Sequence, residues 1–268
     1  MSEASGERKS AIVLGASEEG GTGWVTAQTL AALGVFVVVG ARRFEKVKRL
    51  ADQIGGAAFA CDATKEGDVS RFVDSARQAC GGEINYAVIA AGGGVTGMID
   101  SISEGELRRC FDLNYFSSVY FVRHVARALA NDGGIVLMSS IAGTNAWPGY
   151  FAYGGAKAAL QALVKYAALE YAPRGIRVNA VCPGPIQTPA AMSLLAHPEA
   201  SKIVTAEMPL GRASTPAEVA EAVAWLAMAP TWVTGETLHV DGGLHLRRPP
   251  DVDAINAALK ARPRSDHY

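Results

Sequence analysis

Tyr153 and Lys157 stand four residues apart, and Ser140 lies thirteen positions before the tyrosine. A phenol has an unperturbed pKa of about 10, so it exchanges protons at neutral pH only where a nearby positive charge favours the phenolate. Residues i and i+4 share one face of a helix. A helix over Tyr153 to Ala172 therefore sets the Lys157 ammonium under the Tyr153 ring. With the Ser140 hydroxyl added, the three groups suit proton transfer to or from a reacting oxygen.

A second stretch suits phosphate. Ala11 to Leu14 is a short apolar run, followed by a loop carrying Gly15, Ser17, Gly21, Thr22 and Gly23, then by a helix from Trp24 to Leu33. Glycines let a backbone approach a pyrophosphate, and the free N–H groups of the helix start face its charge. The next strand, Val35 to Gly40, completes a βαβ unit and ends in Ala41-Arg42-Arg43. A carboxylate there would favour the unphosphorylated dinucleotide. The two guanidiniums suit a 2′-phosphate instead, so NADP(H) is expected over NAD(H), with Glu18 and Glu19 in the neighbouring loop pulling the local potential the other way.

The remaining elements must carry these groups to one place. Ala57 to Cys61 reads as a third strand ending at Asp62, which could hold an adenine edge, and Lys65 to Cys80 as an amphipathic helix. Tyr86 to Ile89 is a fourth strand leading into Ala90-Ala91-Gly92-Gly93-Gly94, small enough for a ligand to come close. Glu104 to about Asn131 reads as one helix containing Asn114, a residue whose side chain competes for backbone hydrogen bonds, so Asn114 is either solvent-facing or functional. Ile135 to Ser140 forms a buried strand with hydroxyls at its carboxyl end, where open α/β sheets bind ligands. Arg177 to Val181 is a sixth strand, ending in a rigid turn through Pro183, Gly184, Ile186 and Thr188. Ala190 to Pro209 is weakly helical and a candidate lid. Pro216 to Met228 is a helix capped by Thr215, Thr237 to Val240 is the last strand, and the tail from Leu246 is polar.

The chain has 268 residues, 49% of them hydrophobic, with 29 Gly and a net charge of −1. These values fit one α/β domain with buried parallel strands and disfavour a nucleic-acid surface. No apolar run reaches the roughly 20 residues of a membrane span, and the first ten residues lack an apolar signal core. A cytoplasmic location without membrane attachment is expected. Cys61, Cys80, Cys110 and Cys182 and the five histidines show no ligand spacing, so no metal is assigned.

Gly15 to Gly23, Asp62, Ala91-Gly92, Asn114, Ser140, Tyr153-x-x-x-Lys157, Pro183-Gly184 and Pro209-Leu210-Gly211-Arg212 through Asp241-Gly242-Gly243 together resemble the short-chain dehydrogenase/reductase family, in its order and spacing, over about residues 9 to 244. The resemblance implies a doubly wound Rossmann-type domain with a seven-stranded parallel sheet, a small-molecule carbonyl or alcohol substrate of 3-oxoacyl, steroid-like or other apolar kind, and a homo-oligomer, typically a tetramer. It implies Tyr153 as acid or base and Ser140 as the group orienting the carbonyl oxygen. Lys157 would lower the tyrosine pKa and hold the nicotinamide ribose, and Asn114 would hold a water that links Lys157 to solvent. Gly15, Ser17, Gly21, Thr22, Gly23, Arg42, Arg43, Asp62, Ala63, Ala91, Gly92, Pro183, Gly184, Ile186 and Thr188 would line the cofactor site with Tyr153 and Lys157. Two features depart from the family. Its glycines are spaced by three residues and then one, whereas Gly15, Gly21 and Gly23 leave five and one, and its Asn-Asn-Ala-Gly is here Ile89-Ala90-Ala91-Gly92.

Two other functions compete. Tyr150 and Lys157, with six residues between them, have the spacing of the enoyl-reductase branch, and Gly184 to Thr188 is similar to that branch. A non-catalytic dinucleotide sensor or scaffold would keep the fold without the chemistry.

Overall fold

The computed structural model describes residues 8–260. Seven parallel strands run in the order β3-β2-β1-β4-β5-β6-β7. They are β1 (Ser10–Leu14), β2 (Phe36–Ala41), β3 (Ala57–Ala60), β4 (Ile84–Ile89), β5 (Leu129–Met138), β6 (Arg177–Pro183) and β7 (Thr237–Val240). The helices are α1 (Thr22–Ala32), α2 (Phe44–Ile54), α3 (Glu66–Ala79), α4 (Glu104–Phe111), α5 (Ser117–Ala128), α6 (Phe151–Tyr171), α7 (Met192–Leu195), α8 (Pro198–Ala206), α9 (Pro216–Met228) and α10 (Val252–Lys260).

Every residue of β1 is buried, as a strand covered on both faces must be, which is why it reads as an unbroken apolar run. Trp24, Leu30, Leu50 and Val223 pack one helix layer of α1, α2 and α9 on the sheet. Phe72, Phe121 and Leu160 pack the other, of α3, α5 and α6. Each such side chain contributes about 1.5–3 kcal/mol relative to exposure. The register aligns the carboxyl ends: Leu14 pairs with Gly40 and Ile89, and Ile89 with Leu137. The chain leaves β1 toward β2 and β3, then returns to β4 on the other side. The crevice above this reversal is where such sheets take ligands.

One stretch differs from the sequence reading. The helix expected from Glu104 to Asn131 is interrupted by a π turn at Asp112–Phe116 and stops at Ala128. Arg174 donates to the Ala126 and Leu129 carbonyl oxygens, satisfying the helix end, and Leu129 to Asn131 join β5. Ala190 to Pro209, read as weakly helical, holds the end of a short 3-10 turn followed by α7 and α8. In the tail, Asp251 accepts from the Ala254 amide at 3.0 Å and starts α10, whose Ile255 packs against Ala200 and Val204 of α8. Residues 1–7 and the end of the tail, 261–268, lie outside the described residues. Among the described residues no helix is long and apolar enough to cross a membrane.

Candidate active site

The carboxyl end of β5 and the first turns of α6 carry the chemistry. Lys157 is buried, and its Nζ donates to the Met138 carbonyl oxygen at 2.8 Å. The same Nζ lies 5.6 Å from the centre of the Tyr153 ring, within the range where a cation is attracted to a ring face. Gln161, one turn further on, donates to Ser139 Oγ at 3.0 Å. Ser140 follows and accepts from the Ala142 amide at 3.2 Å, turning the chain into a 3-10 turn over Ile141–Gly143.

Burial, not charge, dominates both ionisable groups. Loss of water pushes Lys157 down to about 8. It raises the Tyr153 phenol, with the Ser140 hydroxyl acting in the opposite direction. Burial is the largest influence on the phenol, and the Ser140 hydroxyl bonded to it favours the phenolate. The buried Cys182 thiol is likewise pushed up to about 12, first by burial and then by the Asp241 charge. It stays neutral.

Asn114 is buried inside the π turn. Its Nδ2 donates to the Cys110 carbonyl oxygen at 2.9 Å and to the Gly93 oxygen at 3.0 Å, while Oδ1 accepts from the Gly93 amide at 3.1 Å. The side chain thus takes a carbonyl of the helical ladder, and the Ser117 amide reaches Asp112, five residues back. A side chain inserted in the ladder is a recognised cause of such irregularity, and π turns concentrate at functional sites. The expected water-holding role does not use this amide freely, because both its ends are committed to the loop after β4. That loop runs close: a Cβ added to Gly92 would stand 3.1 Å from Asn114 Oδ1 and 3.3 Å from Lys157 Nζ.

Both regions open on one cavity of about 870 Å³. At its other end lies the glycine loop. Gly15 has φ +98°, and a Cβ there would lie 2.3 Å from the Ala91 nitrogen, so only glycine fits. Gly21 caps α1 without any side chain covering the free N–H groups, and the first turn carries no acidic residue. An uncapped helix start facing a cavity matches the pyrophosphate of a dinucleotide. Arg42, Arg43 and Asp62 also line the cavity. Asp62 accepts from the Thr64 hydroxyl at 2.8 Å and amide at 3.1 Å. Burial alone would raise its carboxyl, but these bonds and the Arg42 and Lys65 charges bring it below the usual carboxylate value. Arg43 is engaged: Nη2 pairs with Glu18 at 2.8 Å, and Nε and Nη2 donate to Ser17 Oγ at 3.0 and 2.9 Å.

The sequence-based residues Gly15, Ser17, Gly21, Thr22, Gly23, Arg42, Arg43, Asp62, Ala63, Ala91, Gly92, Tyr153, Lys157, Ile186 and Thr188 all line this cavity. Pro183 and Gly184 do not. Pro183 is the last residue of β6, and Gly184 packs against Asp241. Asn114 is buried below the cavity surface, and Ser140, half-buried, meets it through its hydroxyl bond with Tyr153. Tyr150, the rival phenol, also lies off the cavity, edge-on to Trp147 with ring centres 5.8 Å apart. The cavity wall adds Glu18 and Gly93 from the two loops noted in the sequence, and Leu113, Met138 and Ser139, residues whose types carry no signal of their own.

Residues 15–245 match the family model described as Enoyl-(Acyl carrier protein) reductase. Glucose 1-dehydrogenase of Gluconobacter oxydans is 35% identical over 89% of this chain and 92% of its own. Among solved structures, a short-chain type dehydrogenase/reductase from Mycobacterium ulcerans superposes with a TM-score of 0.87 at 30% identity, covering 95% of this chain and 98% of that one. A single-substitution variant of actinorhodin polyketide ketoreductase, solved with NADPH, gives 0.83 at 28% identity over 89% and 97%. The matches span the sheet, the glycine loop and α6, and the chain belongs to the short-chain dehydrogenase/reductase family, as an oxidoreductase that transfers hydride between a nicotinamide cofactor and an alcohol or carbonyl group.

Proposed function

We propose that the chain is an NADP(H)-preferring enzyme that interconverts an apolar ketone and its secondary alcohol, with Tyr153 as the proton donor or acceptor. The observation that carries this reading is that Tyr153 and Lys157 line the same cavity as the uncapped start of α1 and the Arg42 guanidinium. Gly15 to Gly23 would hold the pyrophosphate, Arg42 the 2′-phosphate, Asp62 the adenine edge, and Lys157 the nicotinamide ribose. A bound nicotinamide supplies or accepts the hydride. In the reducing direction Tyr153 gives its proton to the carbonyl oxygen, and Ser140 donates a hydrogen bond to the same oxygen. Lys157, charged below its lowered pKa of about 8, stabilises the phenolate that remains, and Asn114 fixes the floor on which a proton-carrying water would sit.

An apolar substrate is supported by Trp147, packed with Ile141, Met208 and Leu244 beside the Ser140 turn, and by Tyr150 against Trp147. Reducing a panel of ketones and oxidising the matched secondary alcohols with both cofactors tests the reading. Turnover of apolar members with NADPH supports it, and activity confined to polyols or to NADH overturns it. The enoyl-thioester reading has the family model's description and the Tyr150/Lys157 spacing in its favour, but Tyr150 lies off the cavity, so carbonyl chemistry is preferred. The whole chain, 1–268, is read as one domain acting in the cytoplasm as a homo-oligomer of the tetrameric kind.

A further inference from the structure

We infer that Glu18, in the lengthened glycine loop, limits the preference for NADP(H) by occupying Arg43. This rests on the NADP(H) reading above. Glu18 and Arg43 both line the adenosine end of the cavity. The Glu18 carboxyl is held below its usual value, first by its hydrogen bond with Arg43, so it is an anion at neutral pH. Arg43 uses Nε and Nη2 on Ser17 and Glu18, the same fork it would turn toward a phosphate. Among the described residues Arg42 enters no side-chain hydrogen bond or ion pair. One guanidinium at the rim is therefore free and the other is neutralised by a carboxylate from the opposite loop.

Glu18 opposes a 2′-phosphate twice, by competing for Arg43 and by placing a like charge beside the site. It also supplies a carboxylate of the kind that accepts ribose hydroxyls in sites for the unphosphorylated cofactor, here from the glycine loop because the end of β2 carries arginines. The longer loop therefore tunes cofactor choice. Both partners are about half exposed, 51% and 45%, so the effect is a moderate one.

The test is calorimetric binding of 2′,5′-ADP and of 5′-ADP to the full chain, for wild type, Glu18→Gln, Arg43→Ala and the double variant. Glu18→Gln should tighten 2′,5′-ADP by roughly fivefold, the scale of one partly exposed charge pair, with 5′-ADP unchanged or weaker. In the Arg43→Ala background the gain should shrink, because no guanidinium is left to release. An unchanged ratio of the two affinities in Glu18→Gln overturns the inference, and so does an undiminished gain in the double variant, which would make Glu18 a distant charge only. Failure of the underlying reading appears elsewhere, as wild-type protein that binds 2′,5′-ADP no better than 5′-ADP. Thermal unfolding of each variant guards against loss of fold.

Discussion

The Lys157 ammonium donates to the Met138 carbonyl oxygen at 2.8 Å, so the group beside Tyr153 is anchored to the sheet and not to the tyrosine. Its position survives whatever the phenol does during turnover. The arrangement has an energetic cost, because a charge has been brought out of water.

That cost depends on pH with a definite sign. Folding lowers the Lys157 pKa from 10.5 to about 8. Below about pH 8 folded and unfolded chains both hold the proton and the full cost is present. Between there and 10.5 only the unfolded chain keeps it, so stability rises with pH. Lys157→Met removes this dependence. Wild type should gain on the variant by roughly 3 kcal/mol from neutral pH to about pH 10.5, read by urea unfolding of both proteins at each pH. A stability difference that stays flat would mean the lysine is not desolvated.

Tyr153→Phe should lower kcat on a ketone by at least roughly 100-fold, the usual worth of general acid catalysis, with cofactor affinity retained. Tyr150→Phe should act chiefly through KM. Each is assayed with a ketone and an enoyl thioester, alongside fluorescence titration of the cofactor. Near-normal ketone turnover in the first variant and lost enoyl turnover in the second would promote the enoyl-reductase reading.

Arg42→Ala should reduce the ratio of kcat/KM for NADPH over NADH by roughly tenfold, the loss of one charge-assisted contact. Steady-state kinetics with both cofactors decide it. An unchanged ratio would leave Arg42 a rim residue without a role in cofactor choice.

Tyr166 and Leu169 are 67% and 75% exposed on α6, and three residues apart they share a face. Exposed apolar pairs of this kind mark interfaces. Leu169→Glu should break the homo-oligomer that light scattering is expected to find for wild type. A wild-type mass near 28 kDa at micromolar concentration would remove the oligomer from the account.

The sheet was legible because its central strands are buried on both faces and therefore read as apolar runs, as Ala11 to Leu14 does. The glycine loop was legible because Gly15 sits at a φ and a contact distance that other residues do not tolerate. Less was visible where the decisive contact is distant in sequence. The engagement of Arg43 by Glu18 spans 25 residues and needs the register of β1 with β2 before it can be seen. Helical spacing shows the lysine beside Tyr153 but not the burial that raises its phenol. The end of α5 depends on Arg174, whose guanidinium reaches back from beyond α6. The helix in the tail is signalled only by Asp251 and the spacing of Val252, Ile255 and Leu259.

The π turn at Asp112–Phe116 has a meaning for insertions and deletions. A π turn carries one residue more than a regular helix needs, and one residue is worth about 100° of rotation. The faces of α4 and α5 are therefore out of phase, with α4 aimed to suit the loop that Asn114 grips and α5 aimed to bury Phe121 and Val125 against the sheet. Deleting a single residue between 112 and 116 would let the segment relax into an ordinary helix that still packs through α5. The chain would fold, yet Asn114 would no longer meet Gly93, and the floor beneath Lys157 would be lost. The irregularity is thus a place where sequence length itself, independent of which side chains are present, separates a competent enzyme from a well-folded scaffold.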